Sequence, residues 1–315
     1  MHRIGYVLGD GFQLMALATQ SVFEFANLVA GEPVYALENY SATGGELRSS
    51  SGLAVATRSL QHRGPVDTWL FTGVVQPLEQ PPALEVLALV RRVAPRARRV
   101  AAICTGAFVL AEAGVLSGRR ATTHWAHAPD LQRLYPEVEV DAERIHIADG
   151  PIWTSAGMTA GLDMVLAMVE QDLGAELARS VAHRLVMQQQ RSGGQSQHSE
   201  LLALAPKSDR VQTALEYARR NLARPLSVEE LAEAAHLSPR QFSRVFAAET
   251  GRTPAKAVEG LRLEAARLMI ERSRHPLEVV ARENGFRDRR HLREAFMRGF
   301  GVTPQALRRG RREAA

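Results

Sequence analysis

The chain has 315 residues, 45% of them hydrophobic, with 39 Lys+Arg against 34 Asp+Glu and a single cysteine. That composition excludes a disordered chain and a disulfide-stapled scaffold, and no run of 18 apolar residues offers a membrane-spanning helix. The length fits two domains.

Taken in chain order, residues 3–8 (RIGYVL) read as a first strand and about 14–29 as a helix. Residues 34–40 give a second strand, and 67–73 a buried strand ending at a glycine turn. A helix over about 82–93 precedes the apolar strand at 99–103. Such alternation predicts a mostly parallel sheet with helices on both faces. A long helix over about 159–190 is predicted to break near Gly174. Residues 190–199 (QRSGGQSQHS) have the polar, Gly/Ser-rich composition of a linker, and helical periodicity runs from there to the end. The charge divides at the same place. Residues 206–315 carry 23 Lys+Arg against 14 Asp+Glu, and the preceding residues 16 against 20. A basic C-terminal part on an acidic N-terminal part is the electrostatic footprint of a nucleic-acid-binding module attached to something else. The start of the chain lacks a signal-peptide pattern, so a cytoplasmic protein is expected, with no membrane partner.

The C-terminal part repeats itself. Ser227-Val228-Glu229-Glu230-Leu231-Ala232 and Pro276-Leu277-Glu278-Val279-Val280-Ala281 each open a helix. Each is followed by a break, Ala235–Ser238 in one copy and Asn284–Arg287 in the other. A second helix then carries bulky apolar residues at i and i+4: Phe242 and Phe246, then Leu292 and Phe296. Both copies close on Gly-x-x-Pro, at Gly251–Pro254 and Gly301–Pro304. The offset is 49 residues before the turn and 50 after it. Each copy fits a helix-turn-helix, at about 227–251 and 276–301. Ala232 and Ala281 leave room for the second helix to cross, Gly285 supplies a positive φ, and Ser238-Pro239 reads as an N-cap and first helical residue. The free face of the second helix carries Arg240, Ser243 and Arg244 in the first copy. In the second copy it carries Arg289, Arg290, His291, Arg293 and Glu294. Arginine reads guanine or neutralises phosphate, and glutamate accepts from cytosine. A pair of ordinary helical hairpins is the competing reading, and two copies with matched turns and basic faces disfavour it.

Over about 209–310 the sequence resembles the AraC/XylS family, above all in Ala281-x3-Gly285-Phe286-x5-Leu292-x3-Phe296-x4-Gly301-x2-Pro304. The resemblance implies an all-α domain with two helix-turn-helix units joined by a helix at about Pro254–Ser273, both reading successive major-groove segments of double-stranded DNA. His236 stands where the family usually has glycine.

In the N-terminal part, the strand ending at Ile103 runs into Cys104-Thr105-Gly106 and then a helix. A sharp strand-to-helix turn exposes its tip residue and sets it at a helix N-terminus, which lowers a thiol pKa. With Ala121-Thr122-Thr123-His124-Trp125 and Thr154–Asp163, this part resembles the ThiJ/PfpI superfamily, a flavodoxin-like α/β fold related to class I glutamine amidotransferases. Its fusion to an AraC-type tail resembles the GlxA-like group of regulators. Enzymatic relatives include cysteine peptidases and isocyanide hydratases, and Cys-Thr-Gly with Ala-Thr-Thr-His-Trp looks most like the hydratases. The peptidase-like members place His after the cysteine, where Thr105 stands. Gln13 and Leu14 stand where the superfamily has its acid, with Asp10 a few residues early. Thr72-Gly73-Val74 replaces the Pro-Gly-Gly loop.

Three readings of this domain follow. One is a catalytically degenerate sensor whose pocket is lined by Cys104, Thr105, Gly73 and His124. The second is an active hydratase or amidase-like enzyme with Cys104 as nucleophile. The third is a dimerisation domain in which Cys104 is a buried elbow residue. The missing acid and the DNA-binding tail favour the sensor, with no catalytic residue, metal or cofactor expected. The whole is read as an α/β sensor domain (1–188), a linker (189–208) and a DNA-binding domain (209–315). By family analogy it is a homodimeric activator that answers to a small effector, a nitrogen-containing metabolite such as an amino acid or quaternary amine, and engages RNA polymerase.

Overall fold

The computed structural model describes residues 1–62, 64–187 and 208–313, together with Gly193, Gln197, Leu204 and Pro206. The chain divides into two compact units, Met1–Gln197 and His198–Ala315. Most of the linker read from the sequence lies outside the described residues.

The first unit is built on strands β1 (His2–Val7), β2 (Tyr35–Ser41), β3 (Gly45–Arg48), β4 (Ala54–Ser59), β5 (Thr68–Phe71), β6 (Arg99–Ile103), β7 (Arg120–Ala121), β8 (Glu139–Val140), β9 (His146–Asp149) and β10 (Ile152–Ser155). Eight of them form one sheet in the order β3-β4-β2-β1-β5-β6-β10-β9, and β7 and β8 pair separately. The pairs from β4 through β2, β1, β5 and β6 to β10 are parallel, and only the two outermost strands run antiparallel. This is the flavodoxin-like α/β arrangement. Every residue of β5 and β6 is buried, the continuous apolar run that a strand covered on both faces requires.

In β1 the pleat sends Ile4 and Tyr6 to one face and Val7 to the other. The first face is covered by α1 (Gln20–Ala30), through Val22, Phe23 and Ala26, and by two helices near the end of the unit, through Met164, Val165, Met168 and Val181. The second face is covered by α2 (Leu84–Val93), through Val86, Leu87 and Val90, and by α3 (Ala107–Glu112), through Phe108 and Leu110. A short α4 (Ala128–Leu134) adds Leu131 to that second core. The two helices on the first face are α5 (Met158–Leu173) and α6 (Ala175–Arg184), and the predicted break falls at Gly174, whose φ is +88°. The antiparallel pair β3 and β4 was read as neither strand nor helix in the sequence, and its exposed edge explains why no alternation marks it. At the amino edge of the sheet, Asp172 takes two hydrogen bonds from the Arg99 guanidinium, at 3.1 and 2.5 Å, and one from Tyr35 at 3.0 Å.

The second unit is helical. Its described helices are α7 (Asp209–Arg220), α8 (Val228–Ala234), α9 (Pro239–Thr250), α10 (Pro254–Arg272), α11 (Leu277–Glu283), α12 (Arg289–Phe300) and α13 (Pro304–Glu313). Two cores flank α10. Ala257, Val258 and Leu261 join α7, α8 and α9, while Leu263, Ala266 and Ile270 join α11 and α12. The repeated Gly-x-Thr-Pro now has a mechanical meaning. Gly251 and Gly301 end α9 and α12 in the left-handed conformation, with φ of +68° and +67°. Thr253 then caps the next helix by accepting from the Lys256 amide, with Pro254 at its first turn.

Candidate functional site

Two places bear on function, one in each unit. In the first, Cys104 sits at the tip of the β6-to-α3 turn with φ of +57°, the strained left-handed backbone of an elbow. The turn is locked against the loop after β5 by two glycines. A Cβ on Gly73 would lie 2.1 Å from Thr105 Oγ1, and one on Gly106 would lie 2.3 Å from the Phe71 carbonyl oxygen. Thr105 Oγ1 donates to the Val74 carbonyl at 2.6 Å, and Thr123 Oγ1 donates to the Cys104 carbonyl at 2.9 Å.

Beside this joint, at the carboxyl ends of β1 and β5, lies a cavity of about 430 Å³. The connection order reverses between these two strands, which is where open α/β sheets bind ligands. Leu8, Val74, Phe108 and Val109 make much of its wall, and Asp10 is the ionisable residue among those that line it. The four pocket residues expected from the sequence are therefore not brought together here. Gly73 and Thr105 stand on this wall; Cys104 and His124 do not. Cys104 is only 5% exposed, turned into the core under the elbow. His124 caps the short helical turn Trp125–His127, its Nδ1 accepting from the Ala126 amide at 3.3 Å, and its ring lies against Trp125 at 5.5 Å. The arrangement has a physical cause: the tip of the elbow is buried among core residues, while Thr105 beside it lines the cavity.

The thiol itself is not primed. Burial pushes its pKa up to about 11, against the weaker pull of a hydrogen bond with the Thr105 backbone. The helix N-terminus expected to lower it is outweighed by loss of solvent. Thr105, in the position of the peptidase histidine, is a hydroxyl already committed to Val74.

Gln197, which the sequence placed in the linker, was missed. Its Nε2 donates to Thr122 Oγ1 and to the carbonyls of Thr123 and Arg144, at 3.1, 2.9 and 3.1 Å. Its Oε1 accepts from the Trp125 amide at 2.9 Å. The end of the first unit is thereby fastened to the segment whose Thr123 holds the elbow. A lone glutamine in a polar stretch carries no signal of such a role.

In the second unit, α8–α9 and α11–α12 are two helix pairs of one plan. Ala232 and Ala281 are buried at the crossings, as are Phe242, Phe246, Leu292 and Phe296. Ser238 caps α9 in a reciprocal box with Gln241, and Asp288 caps α12 by accepting from the His291 amide at 2.7 Å. His236, the departure from the family pattern, takes φ of +52° and so keeps the turn that Gly285 makes at +71°. Arg240 and Arg244 are exposed on α9, with Ser243 half-buried between them. On α12, Arg289, Arg290, Arg293 and Glu294 are exposed. Arg290 pairs with Glu294 at 2.9 Å, and Arg289 with Glu278 at 3.3 Å. His291 is turned back on its own helix start, where Nδ1 accepts from the Arg287 amide and the ring meets Phe286 edge-on. Met297, exposed on the same helix, was not singled out in the sequence.

Residues 37–171 match the DJ-1/PfpI family, and residues 231–310 match a helix-turn-helix domain. Across 98% of its length the chain is 33% identical to the HTH-type transcriptional regulator GlxA of Rhizobium meliloti, and covers 96% of that protein. The chain belongs to the GlxA-like HTH-type transcriptional regulators. It is a DNA-binding transcription regulator, with an AraC-type helix-turn-helix domain behind a DJ-1/PfpI effector domain. A shorter stretch of 101 residues, 32% of this chain, is 39% identical to the isonitrile hydratase of Pseudomonas putida and covers 43% of it. Among solved structures, an AraC family transcriptional regulator from Pseudomonas putida matches 59% of this chain and all of its own, with a TM-score of 0.54 at 21% identity. That likeness carries the α/β fold. No helix among the described residues is long and apolar enough to cross a membrane.

Proposed function

We propose that the first unit is a sensor without catalysis, that its cavity at the ends of β1 and β5 holds a small effector, and that both α9 and α12 read DNA. One observation carries this reading. A walled cavity stands open at the ligand-binding edge of the sheet, while Cys104 is buried off that wall with its thiol held protonated. Enzyme chemistry through the cysteine needs a thiolate and a base beside it. An effector needs only the cavity and a difference in affinity between two arrangements of the protein. In this reading the protein works in the cytoplasm as a homodimer and activates transcription through RNA polymerase. Arg240, Ser243 and Arg244 on α9 and Arg289, Arg290, Arg293 and Glu294 on α12 face the duplex, and His291 positions the start of α12.

The test uses full-length protein. Random-duplex selection identifies the operator for wild type and Cys104→Ala. A panel of amino acids and quaternary amines is then scored for its effect on operator affinity. Ala83 is exposed and lines the cavity, so Ala83→Trp fills the space without entering the core. The expected result is one operator motif for both proteins and an effector response that survives Cys104→Ala and is lost in Ala83→Trp. A response that persists in Ala83→Trp, or turnover of a panel compound that depends on Cys104, overturns the reading.

A further inference from the structure

The outward face of α12 carries one residue that charge does not explain. At about 100° per residue, Leu292, Ala295 and Phe296 define the inward side of the helix. Measured from Leu292, Arg290 lies about 160° round the axis and Met297 about 140°, with Arg293 and Glu294 on either side. Arg290, Arg293, Glu294, Met297 and Arg298 line one shallow surface groove. Met297 is 46% exposed there, a thioether among four ionic side chains. It stands outside the apolar cluster that fixes α12 to the second core.

We propose that Met297 is a specificity residue that packs on the 5-methyl group of a thymine in the major groove. The proposal rests on α12 being a DNA-reading helix. The charged members of the stripe supply hydrogen bonds through their polar heads, arginine to guanine and glutamate to cytosine, and a methyl group offers those heads no partner. The thymine methyl is the apolar feature of the major groove, and a flexible, polarisable side chain on the same stripe is its match. Position follows from helix geometry. Met297 is three and four residues beyond Glu294 and Arg293, a rise of about 4.5–6 Å. With base pairs stacked about 3.4 Å apart, the thymine falls within about two base pairs of the one those residues read.

Replacing one thymine at a time in the selected operator by deoxyuridine deletes only the methyl group. Full-length wild type is expected to lose about fourfold in affinity at one thymine, the worth of one buried methyl. That thymine lies within about two base pairs of the position whose preference Arg293→Ala relaxes. Met297→Ala is expected to bind the two duplexes equally, and Met297→Leu to keep the discrimination. The proposal is overturned if wild type discriminates at no thymine, or if Met297→Ala keeps the full penalty. If Arg290→Ala and Arg293→Ala leave every base preference intact, the reading of α12 itself is what fails.

Discussion

The two turns of the helical unit put different residues at the same left-handed position, His236 in one and Gly285 in the other, and that difference sets up a paired measurement. Gly285 has φ of +71° and is also jammed against its surroundings. A Cβ there would lie 2.1 Å from the Leu222 carbonyl oxygen and 2.6 Å from Arg262 Nε. That carbonyl accepts from Arg262 Nε at 3.1 Å, and Arg262 Nη2 reaches the Arg224 carbonyl at 2.6 Å. The left-handed backbone costs an alanine about 1–2 kcal/mol. Lost unfolded-state freedom returns about 0.4–1 kcal/mol. Moving the loop after α7 breaks a charge-assisted hydrogen bond, at about 1.5–3 kcal/mol. Gly285→Ala is therefore expected to destabilise the helical unit by about 2–4 kcal/mol. His236 carries the same backbone strain and is exposed. His236→Gly relieves about 1–2 kcal/mol and gives back about half in glycine entropy, so it stabilises by about 0.5–1 kcal/mol. The assay is urea unfolding of the full chain with two probes. Trp69, Trp125 and Trp153 all lie in the first unit, so tryptophan fluorescence follows that unit, while far-ultraviolet circular dichroism follows both. The dichroism transition should shift in opposite directions for the two variants, with the fluorescence midpoint fixed. A Gly285→Ala protein within about 0.5 kcal/mol of wild type would refute the reasoning, because strain and the broken hydrogen bond together exceed that after the unfolded-state offset.

Three further outcomes are expected. Asp172→Asn leaves the Arg99 guanidinium, itself 4% exposed, without its counter-charge, and should destabilise the first unit by about 3–5 kcal/mol in the fluorescence transition. Burial pushes the Asp172 pKa up, but the Arg99 hydrogen bonds and charge, with Tyr35 and Arg98, outweigh it and hold the group below the usual carboxylate range. The pair's stabilisation is thus present at neutral pH and lost as pH falls through that depressed value, and Asp172→Asn should flatten the acid limb. Cys104 should alkylate slowly with iodoacetamide at pH 8 and gain rate until about pH 11; because the folded thiol resists ionising, stability should fall as pH rises above about 9 toward 11, and Cys104→Ala should remove that fall. Gln197→Ala takes away the acceptor of the Trp125 amide, so its hydrogen exchange should speed up while amides of β6 keep their protection.

The helical unit was legible because its constraints are local. A glycine that ends a helix, a threonine that caps the next and a proline at its first turn write themselves at fixed spacing, and the repeat prints them twice. The reading at His236 shows the limit of that logic. Glycine is the residue that makes the turn at no cost, so its absence hinted at a changed turn; the structure keeps the turn and stores the strain in histidine instead. Likewise His291 and Arg290 share an exposed stretch in the sequence, and only hydrogen bonds separate a ring folded back on Arg287 from a guanidinium held out beside Glu294.

The α/β unit was legible in its strands and glycines and not in the direction of one side chain. Cys104, Thr105 and His124 belong together in a sequence argument because enzymes of similar pattern use such residues together. Which space each one faces depends on a single left-handed angle at residue 104 and on two glycines, Gly73 and Gly106, that let backbones touch. The thiol is turned inward and Thr105 is tied to Val74, and a cavity lined by Asp10, Gly73 and Thr105 lies beside the elbow at the carboxyl end of β1. Asp10, three residues before Gln13, stands on the wall of that cavity, where a bound effector would meet it. In the proposed sensor reading the elbow serves as a wall: its tip is buried among core residues, and Gly73 and Thr105 beside it line the cavity that an effector would fill.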